Sequence, residues 1–336
     1  MTIAVDCRMI TSSGVGVYLR GILPFLFKSG NEIIQVNCNV KPFSITELFF
    51  FPSSVLKQIN KADIYYSPFF NVPCGIKIPV LTTIHDIIFP DMPQLFSKPG
   101  LAIRMWFLRR AIKKSSKIFT VSQFSKSRIE HHLGLKKPVI VTYSAIQSIF
   151  LDYRSSLKNI QKKEIIVFIG NIKKHKGLDY LLDAYKLAKE EGLTHKLLII
   201  GSKDNFRSAD NKIFKKIEEI GSDSVLFTGF VSDEILLETL ASASLLVQPS
   251  LYEGFCLPPL EAMTLGTKTL ISDIPVLKEI YDSYPVSFFE SGNSIDLKNK
   301  LLEILVKRRE NQLSLPDTLT LKYTFEKTAS IILNNL

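Results

Sequence analysis

The 336-residue chain carries 42 Lys/Arg against 32 Asp/Glu, a net charge of +10, with 46% hydrophobic and 22% charged residues. That balance excludes a disordered or low-complexity chain, and the length exceeds what one hydrophobic core fills, so two domains are expected. Cys7, Cys38, Cys74 and Cys256 are scattered without a CxxC pair, which predicts reduced thiols and neither a disulfide frame nor a zinc site.

Residues 1–6 run directly into Cys7-Arg8, too short and too soon charged for a signal peptide, and no apolar run reaches membrane-spanning length. A cytoplasmic protein is therefore expected. Charge is uneven along the chain: residues 1–150 hold 18 Lys/Arg and 7 Asp/Glu, a net of +11, whereas residues 151–336 hold 24 and 25, a net of −1. A basic half predicts an anionic partner, either a phospholipid surface, a phosphorylated acceptor or a nucleic acid. The balanced second half argues against nucleic acid.

Residues 2–6 read as a buried strand leading to Gly14-Val15-Gly16-Val17-Tyr18. Tyr18, Leu19, Ile22, Leu23, Leu26 and Phe27 then recur at helical spacing. The strand–glycine–helix order suggests a dinucleotide loop, but Leu19 stands where the third glycine of GxGxxG belongs. Residues 62–67 and 79–84 are further short strands, the second ending at His85-Asp86, where a parallel sheet presents residues to ligands. Residues 103–117 form a basic amphipathic helix: Arg104, Arg109, Arg110, Lys113 and Lys114 interleave with an apolar stripe and the single tryptophan, Trp106. The stripe suits burial against the sheet and the basic flank suits anionic headgroups. Strand 117–122, helix 124–133 and strand 138–143 complete this half.

Residues 151–163 have the composition of a polar linker, after which 164–170 restart the α/β rhythm. Asn171-Ile172-Lys173-Lys174-His175-Lys176-Gly177 then opens a helix with Leu178, Leu181, Leu182 and Tyr185 inward, and Lys176 is placed to reach a pyrophosphate. Strands follow at 197–201, 225–229, 245–250, 269–272 and 286–289, with closing helices at 295–308 and 319–333. The predicted domains are 1–155 and 156–318, with 319–336 returning to the first.

The most informative stretch is Tyr252-Glu253-Gly254-Phe255-Cys256-Leu257-Pro258-Pro259-Leu260-Glu261-Ala262-Met263, which follows an apolar strand. Gly254 permits a tight turn, and Pro258 and Pro259 suit the first turn of a helix. Glu253 and Glu261 place two carboxylates near a helix N-terminus. Such a loop offers N–H donors to phosphate and carboxylate acceptors to two diols, as a nucleotide sugar would require.

This string resembles the Glu-Gly-Phe-Gly-Leu-Pro-x-x-Glu-Ala-Met signature of the family-4 retaining glycosyltransferases, with Cys256 standing where glycine is usual. The resemblance implies an α/β GT-B fold: two Rossmann-like domains facing a cleft, and a C-terminal helix, marked by Tyr323-Thr324-Phe325-Glu326-Lys327, crossing back to the first. It implies that Glu253 faces the transferred sugar and Glu261 the ribose, with Gly254, Phe255, Cys256 and Leu257 framing the donor. Gly229 and Phe230 would lie beside the base. The segment 170–176 resembles the family's Gly-Asn-x-Lys-Pro-His-Lys, so Lys176 would bind donor phosphate, with Asn171 and His175 as candidates for a companion position. Gly14 and Gly16 would approach donor phosphate or acceptor, and His85 the transferred sugar. The implied reaction is retaining transfer of a hexose or deoxyhexose from a nucleotide sugar to a saccharide or lipid-linked saccharide. The pattern is similar to bacterial mannosyl- and rhamnosyltransferases of O-antigen, lipopolysaccharide and capsule synthesis, working at the inner face of the plasma membrane. With no Asp-x-Asp and no metal-ligand spacing, neither a metal nor another cofactor is expected. The alternatives are a GT-B epimerase or phosphorylase and, from another class, a basic nucleic-acid-binding protein.

Overall fold

The computed structural model describes residues 1–12, 14–134, 137–157, 160–201, 211–221, 223–307 and 315–336. They form two compact units, Met1–Gln147 with Tyr323–Leu336, and Ser148–Lys322. The first is built on a sheet of β1 (Thr2–Asp6), β2 (Glu32–Val36), β3 (Ile64–Ser67), β4 (Val80–Ile84), β5 (Ser115–Thr120) and β6 (Val139–Val141). Its order is β2-β1-β3-β4-β5-β6, every pairing parallel. The second comprises β7 (Lys163–Ile169), β8 (Lys196–Ile200), β9 (Val225–Gly229), β10 (Ala243–Gln248), β11 (Lys268–Ser272) and β12 (Ser287–Phe289) in the order β12-β11-β10-β7-β8-β9, again all parallel.

Parallel sheets need crossover connections that cover both faces, which is why the central strands are buried, near-continuous apolar runs. In the second unit the Leu178–Glu190 helix buries Leu178, Leu181, Leu182 and Tyr185, at the predicted spacing, in one cluster with Ile166, Phe168, Leu197 and Ile199. Each sheet has one point where successive strands depart in opposite directions: between β1 and β3, and between β7 and β10. At such a reversal the loops at the strand C-termini splay apart and leave a crevice for ligands.

Several expected elements differ. β2 has no counterpart among the expected strands: Glu-Ile-Ile-Gln-Val is an edge strand with neither clean alternation nor full burial. The first part of the expected linker at 151–163, residues 151–156, belongs to the Ser148–Ser156 helix, in which Phe150 is buried and Arg154 donates to the Leu315 carbonyl at 2.6 Å. Only one turn of it reaches the core, so its composition stays polar. The basic helix begins at Lys98, because Ser97 caps it by accepting from the Gly100 amide, and stops at Lys114. Lys117 lies in β5 and its ammonium donates to the Asn335 carbonyl at 2.6 Å. The helix expected at 295–308 is Ser294–Leu302 followed by a π-turn at Glu303–Lys307, and residue 308 lies outside the described residues. The helix expected at 319–333 is two, Asp317–Thr320 and Phe325–Leu333, the second restarted by its Thr324 cap.

Candidate active site

The residues singled out after β7 and β10 converge at the second sheet's reversal. Beyond β7 the chain makes a 3-10 turn, Lys174–Lys176, and Gly177 takes a left-handed φ of +71° to enter the Leu178–Glu190 helix. A Cβ on Gly177 would sit 1.8 Å from the Pro249 carbonyl oxygen, so this glycine is required both by conformation and by the close approach of the β10 loop. The Leu251 amide donates to the His175 carbonyl at 2.7 Å, tying the two loops together.

This junction sets the charges. The Lys176 ammonium donates to both oxygens of Glu253, at 2.7 and 2.9 Å, and the Ser250 hydroxyl donates to Oε1 at 2.7 Å. Burial alone would push the Glu253 carboxyl up; the Lys176 charge and the Lys176 and Ser250 hydrogen bonds more than offset it and hold the carboxyl below its ordinary value. Glu253, 8% exposed, is thus an ionised, oriented carboxylate. His175 is driven the other way, down to about 4, first by burial and then by the neighbouring Lys176 charge. At neutral pH it offers a neutral imidazole and no second cation, and Asn171, in the same loop, is uncharged.

Glu261 sits in the first turn of the Pro258–Thr264 helix, whose two leading prolines forgo amides that a first turn leaves unpaired. Its carboxyl is buried and pushed up to about 7, chiefly by desolvation and then by the nearby charge of Asp233. Among the described residues no hydrogen bond reaches that carboxylate. A buried acceptor of this kind keeps its lone pairs open to hydroxyl donors.

Between the two glutamates, Gly254, Phe255, Cys256 and Leu257 form the connecting turn, and Cys256 has a φ of +73°. Glycine adopts that conformation at little cost and cysteine does not, which is a physical reason for glycine to be usual there. The Cys256 carbonyl accepts from the Tyr281 hydroxyl, and burial beside Glu253 raises the thiol well above its ordinary value. Burial, with Asp6 alongside, also pushes Cys7 up to about 12. Iodoacetamide on the native protein should therefore label the half-buried Cys38 and Cys74 while sparing Cys7 and Cys256, read by peptide mass spectrometry; early labelling of Cys256 would contradict its placement.

Gly229 closes β9 with a φ of +73°, and Phe230 beyond it is 71% exposed, a large apolar ring left in solvent near the strand's C-terminal end. The same loop leads to Asp233, whose charge bears on Glu261.

In the first unit, Gly14 has a φ of +69° at the start of the Val15–Phe27 helix, and a Cβ on Gly16 would meet the Ile10 carbonyl oxygen at 2.6 Å. Both glycines are thus demanded locally. His85 follows β4; its Nε2 lies 2.9 Å from the Pro68 carbonyl, which can only accept, so Nε2 carries the proton. Burial pushes this imidazole down to about 4, against the pull of that carbonyl, and its ring meets the edge of Tyr18 with centroids 4.9 Å apart. On the Lys98–Lys114 helix, Phe107, Leu108, Ala111 and Ile112 are buried, while Arg104, Arg109, Lys113 and Lys114 are exposed beside Ile103 and Trp106. Arg110 departs from this: it turns inward to donate to the Val72 carbonyl. Ile45, Phe49 and Phe50 are also exposed in this unit.

Sequence reasoning passed over Ser250, Gln248 and Asp233. The signal for the first two was a polar Gln and Ser closing an otherwise apolar strand.

Two doubly wound parallel sheets, with a Lys–Glu pair at one reversal point and a second buried glutamate on the next helix, define a GT-B-type protein. Residues 150–315 match the family described as Glycosyl transferases group 1, and residues 18–147 match Glycosyltransferase Family 4; the chain belongs to the family-4 glycosyltransferases. It is 30% identical over 230 residues to O-antigen chain mannosyltransferase B of Escherichia coli, covering 66% of this chain and 59% of that protein. It is 26% identical over 200 residues to O-antigen chain mannosyltransferase RfbU of Salmonella typhimurium, covering 59% and 53%. The chain thus spans somewhat more than half the length of these two relatives, and 22% of the Escherichia coli serotype-specific mannosyltransferase WbdA. Among solved structures, HepE of Anabaena in complex with UDP and glucose superposes with a TM-score of 0.75 at 16% identity, covering 100% of this chain and 99% of that one. Sucrose-phosphate synthase from Thermosynechococcus elongatus gives 0.67 at 16% identity, covering 99% and 94%. These likenesses establish the GT-B fold. Among the described residues no helix is long and apolar enough to cross a membrane, and no cluster of three or more His, Cys, Asp or Glu could hold a metal ion.

Proposed function

We propose that the protein transfers a hexose or deoxyhexose, with retention of configuration, from a nucleotide sugar to a hydroxyl of a saccharide acceptor in O-antigen or related polysaccharide synthesis. The observation that carries this is the Lys176–Glu253 pair at the β7/β10 reversal, with the buried Glu261 on the following helix. A diphosphate entering there would compete with Glu253 for the Lys176 ammonium, and Glu261 has acceptor capacity for two ribose hydroxyls. The mannosyltransferase names of the relatives and the UDP complexes of HepE support a nucleotide-sugar donor of hexose type.

In this reading Glu253 positions the sugar. It is already engaged by Lys176 and Ser250 and need not form a covalent intermediate, so retention would proceed on one face, with the departing phosphate accepting the acceptor's proton. Lys176 meets the charge developing on the leaving phosphate. His85, neutral with its Nε2–H held by the Pro68 carbonyl, would offer a substrate hydroxyl only its Nδ1 lone pair, and no proton at pH 7. Because protein groups meet the phosphate charge, activity should persist in excess EDTA; a rate abolished by EDTA and restored by magnesium or manganese would refute this part.

Thermal-shift screening against GDP-mannose, dTDP-rhamnose, UDP-glucose and UDP-N-acetylglucosamine tests the proposal. The true donor at a hundred times its Kd should add ~2.7 kcal/mol of stability, and indifference to every nucleotide sugar would defeat it.

The acceptor in this reading is lipid-linked, reached at an anionic membrane surface through Ile103, Trp106 and the flanking Arg104, Arg109, Lys113 and Lys114. The protein should sediment with anionic liposomes and release at high salt, since exposed charge attraction is screened. Changing Arg109, Lys113 and Lys114 to glutamine should abolish sedimentation and spare nucleotide binding. Equal sedimentation of wild type and variant would remove the membrane from the reading.

A further inference from the structure

β10 closes on two polar residues with no access to water: Gln248 is 1% exposed and Ser250 is fully buried. The Gln248 amide Nε2 lies 3.3 Å from the Ser250 hydroxyl, and that hydroxyl lies 2.7 Å from Glu253 Oε1. An amide nitrogen can only donate and a carboxylate only accept. The single proton of Ser250 must therefore point to Glu253, while its lone pair receives Gln248. The reversed amide orientation would set two acceptors against that one proton and leave a buried NH2 unsatisfied. Ser250 is anchored from a third side, because its carbonyl accepts from the Ser272 hydroxyl on β11. The other glutamine atom, Oε1, is buried without a partner among the described residues, so the amide is held by what its nitrogen does.

We infer that Gln248 and Ser250 are positioning residues: they form a one-way hydrogen-bond relay from the sheet to Glu253 that fixes the carboxylate when Lys176 turns to the donor phosphate. The inference rests on the reading of Lys176 and Glu253 given above. Lys176 is a long side chain shared between both Glu253 oxygens and, in that reading, drawn away by a diphosphate. Once it is drawn away, Ser250 still donates to Oε1, with the weak Cys256 thiol beside it. A carboxylate that must meet a sugar at a defined angle needs a support that does not leave with the substrate. The relay supplies one, built from a strand end and two short side chains.

The test is the titration of Glu253, followed by carbon NMR of protein carrying labelled glutamate, with no sugar donor present. The titratable groups facing it are Lys176 and His175 from the β7 loop and Cys256 from its own. Ser250→Ala should move the Glu253 midpoint up by about one pH unit, the size of one lost hydrogen bond to a charged group. Ser250→Thr should restore it. Gln248→Glu should move it further than Ser250→Ala, because the new carboxylate both captures the Ser250 proton and repels Glu253. Gln248→Met, similar in volume and unable to donate, should produce a smaller upward move in a protein whose fold is unperturbed. A Glu253 midpoint unchanged in Ser250→Ala, or changed equally in Ser250→Thr, would overturn the relay. Because no donor is needed, that failure is separate from any failure to find the transferred sugar.

Discussion

Gly177→Ala should dismantle the candidate donor site, with a loss of stability well beyond that of an ordinary surface substitution. The Cβ would lie 1.8 Å from the Pro249 carbonyl oxygen, and both partners are backbone, so no side-chain rotation relieves the clash. The φ of +71° adds a left-handed penalty of about 1–2 kcal/mol for a residue with a Cβ. Separating the loops would break the Leu251-to-His175 hydrogen bond and draw Lys176 away from Glu253. Overpacking of this kind costs ~1–3 kcal/mol or more, so a combined loss of ~3 kcal/mol or more is expected, with nucleotide binding lost as well. Gly192→Ala is the control: its φ of +95° is also left-handed, but nothing lies within 4 Å of the added carbon. It should carry the backbone cost alone and keep nucleotide binding. If both variants melt together and both bind nucleotide, the close approach of the two loops is not what the site depends on.

The two glutamates should separate kinetically and in their response to pH. Ribose is remote from the reacting centre and unchanged in the transition state, so Glu261→Gln should raise the donor KM with little change in kcat. The transferred sugar flattens and gains positive charge, so Glu253→Gln should chiefly lower kcat. Free nucleoside diphosphate, carrying ribose but no sugar, should lose ~1.5–3 kcal/mol of affinity in Glu261→Gln and bind Glu253→Gln at least as tightly as wild type, since no carboxylate then competes for the Lys176 ammonium. Because the Glu261 carboxyl is raised to about 7, wild-type affinity for the diphosphate should fall as pH drops through that value, with a proton released on binding near neutrality. The same shift works against the fold. A carboxyl whose native value exceeds its unfolded value of 4.5 costs stability in full above pH 7 and progressively less as pH falls toward 4.5. Glu261→Gln should accordingly stabilise the nucleotide-free protein at pH 8 by ~2–3 kcal/mol, and the gain should fade in acid. Equal losses of nucleotide affinity in the two variants would invalidate the assignment.

The architecture was legible because parallel strands buried on both faces must read as apolar runs and their crossover helices as amphipathic ones. What escaped was whatever lacked that signature. β2 lies at an edge, and the Ser148–Ser156 helix buries one turn only. Lys176, Glu253 and Glu261 were singled out because they sit in strings whose order packing does not require and which resemble a family signature. Ser250 and Gln248 were not, since a serine and a glutamine closing a strand look like its solvated end; their burial and the direction of their hydrogen bonds exist only in three dimensions. Arg110 shows the reverse error. Helical spacing grouped it with its basic neighbours, but the Val72 carbonyl gives its guanidinium a place inside.

The first unit is assembled from the two ends of the described chain. A Cβ on Gly21 would lie 2.3 Å from the Phe325 ring, so the Phe325–Leu333 helix rests directly on the backbone of the Val15–Phe27 helix. Thr328 reaches the Thr142 carbonyl, and the Ile146 amide donates to the Tyr323 carbonyl. The second unit, by contrast, is continuous from Ser148 to Lys322. During synthesis, then, the later-coded unit has all its pieces before the earlier one does, reversing the usual N-terminal-first order of domain folding. Until residues 323–336 leave the ribosome, the surface of the Val15–Phe27 helix around Tyr18 and Gly21 lacks the Phe325 ring that covers it.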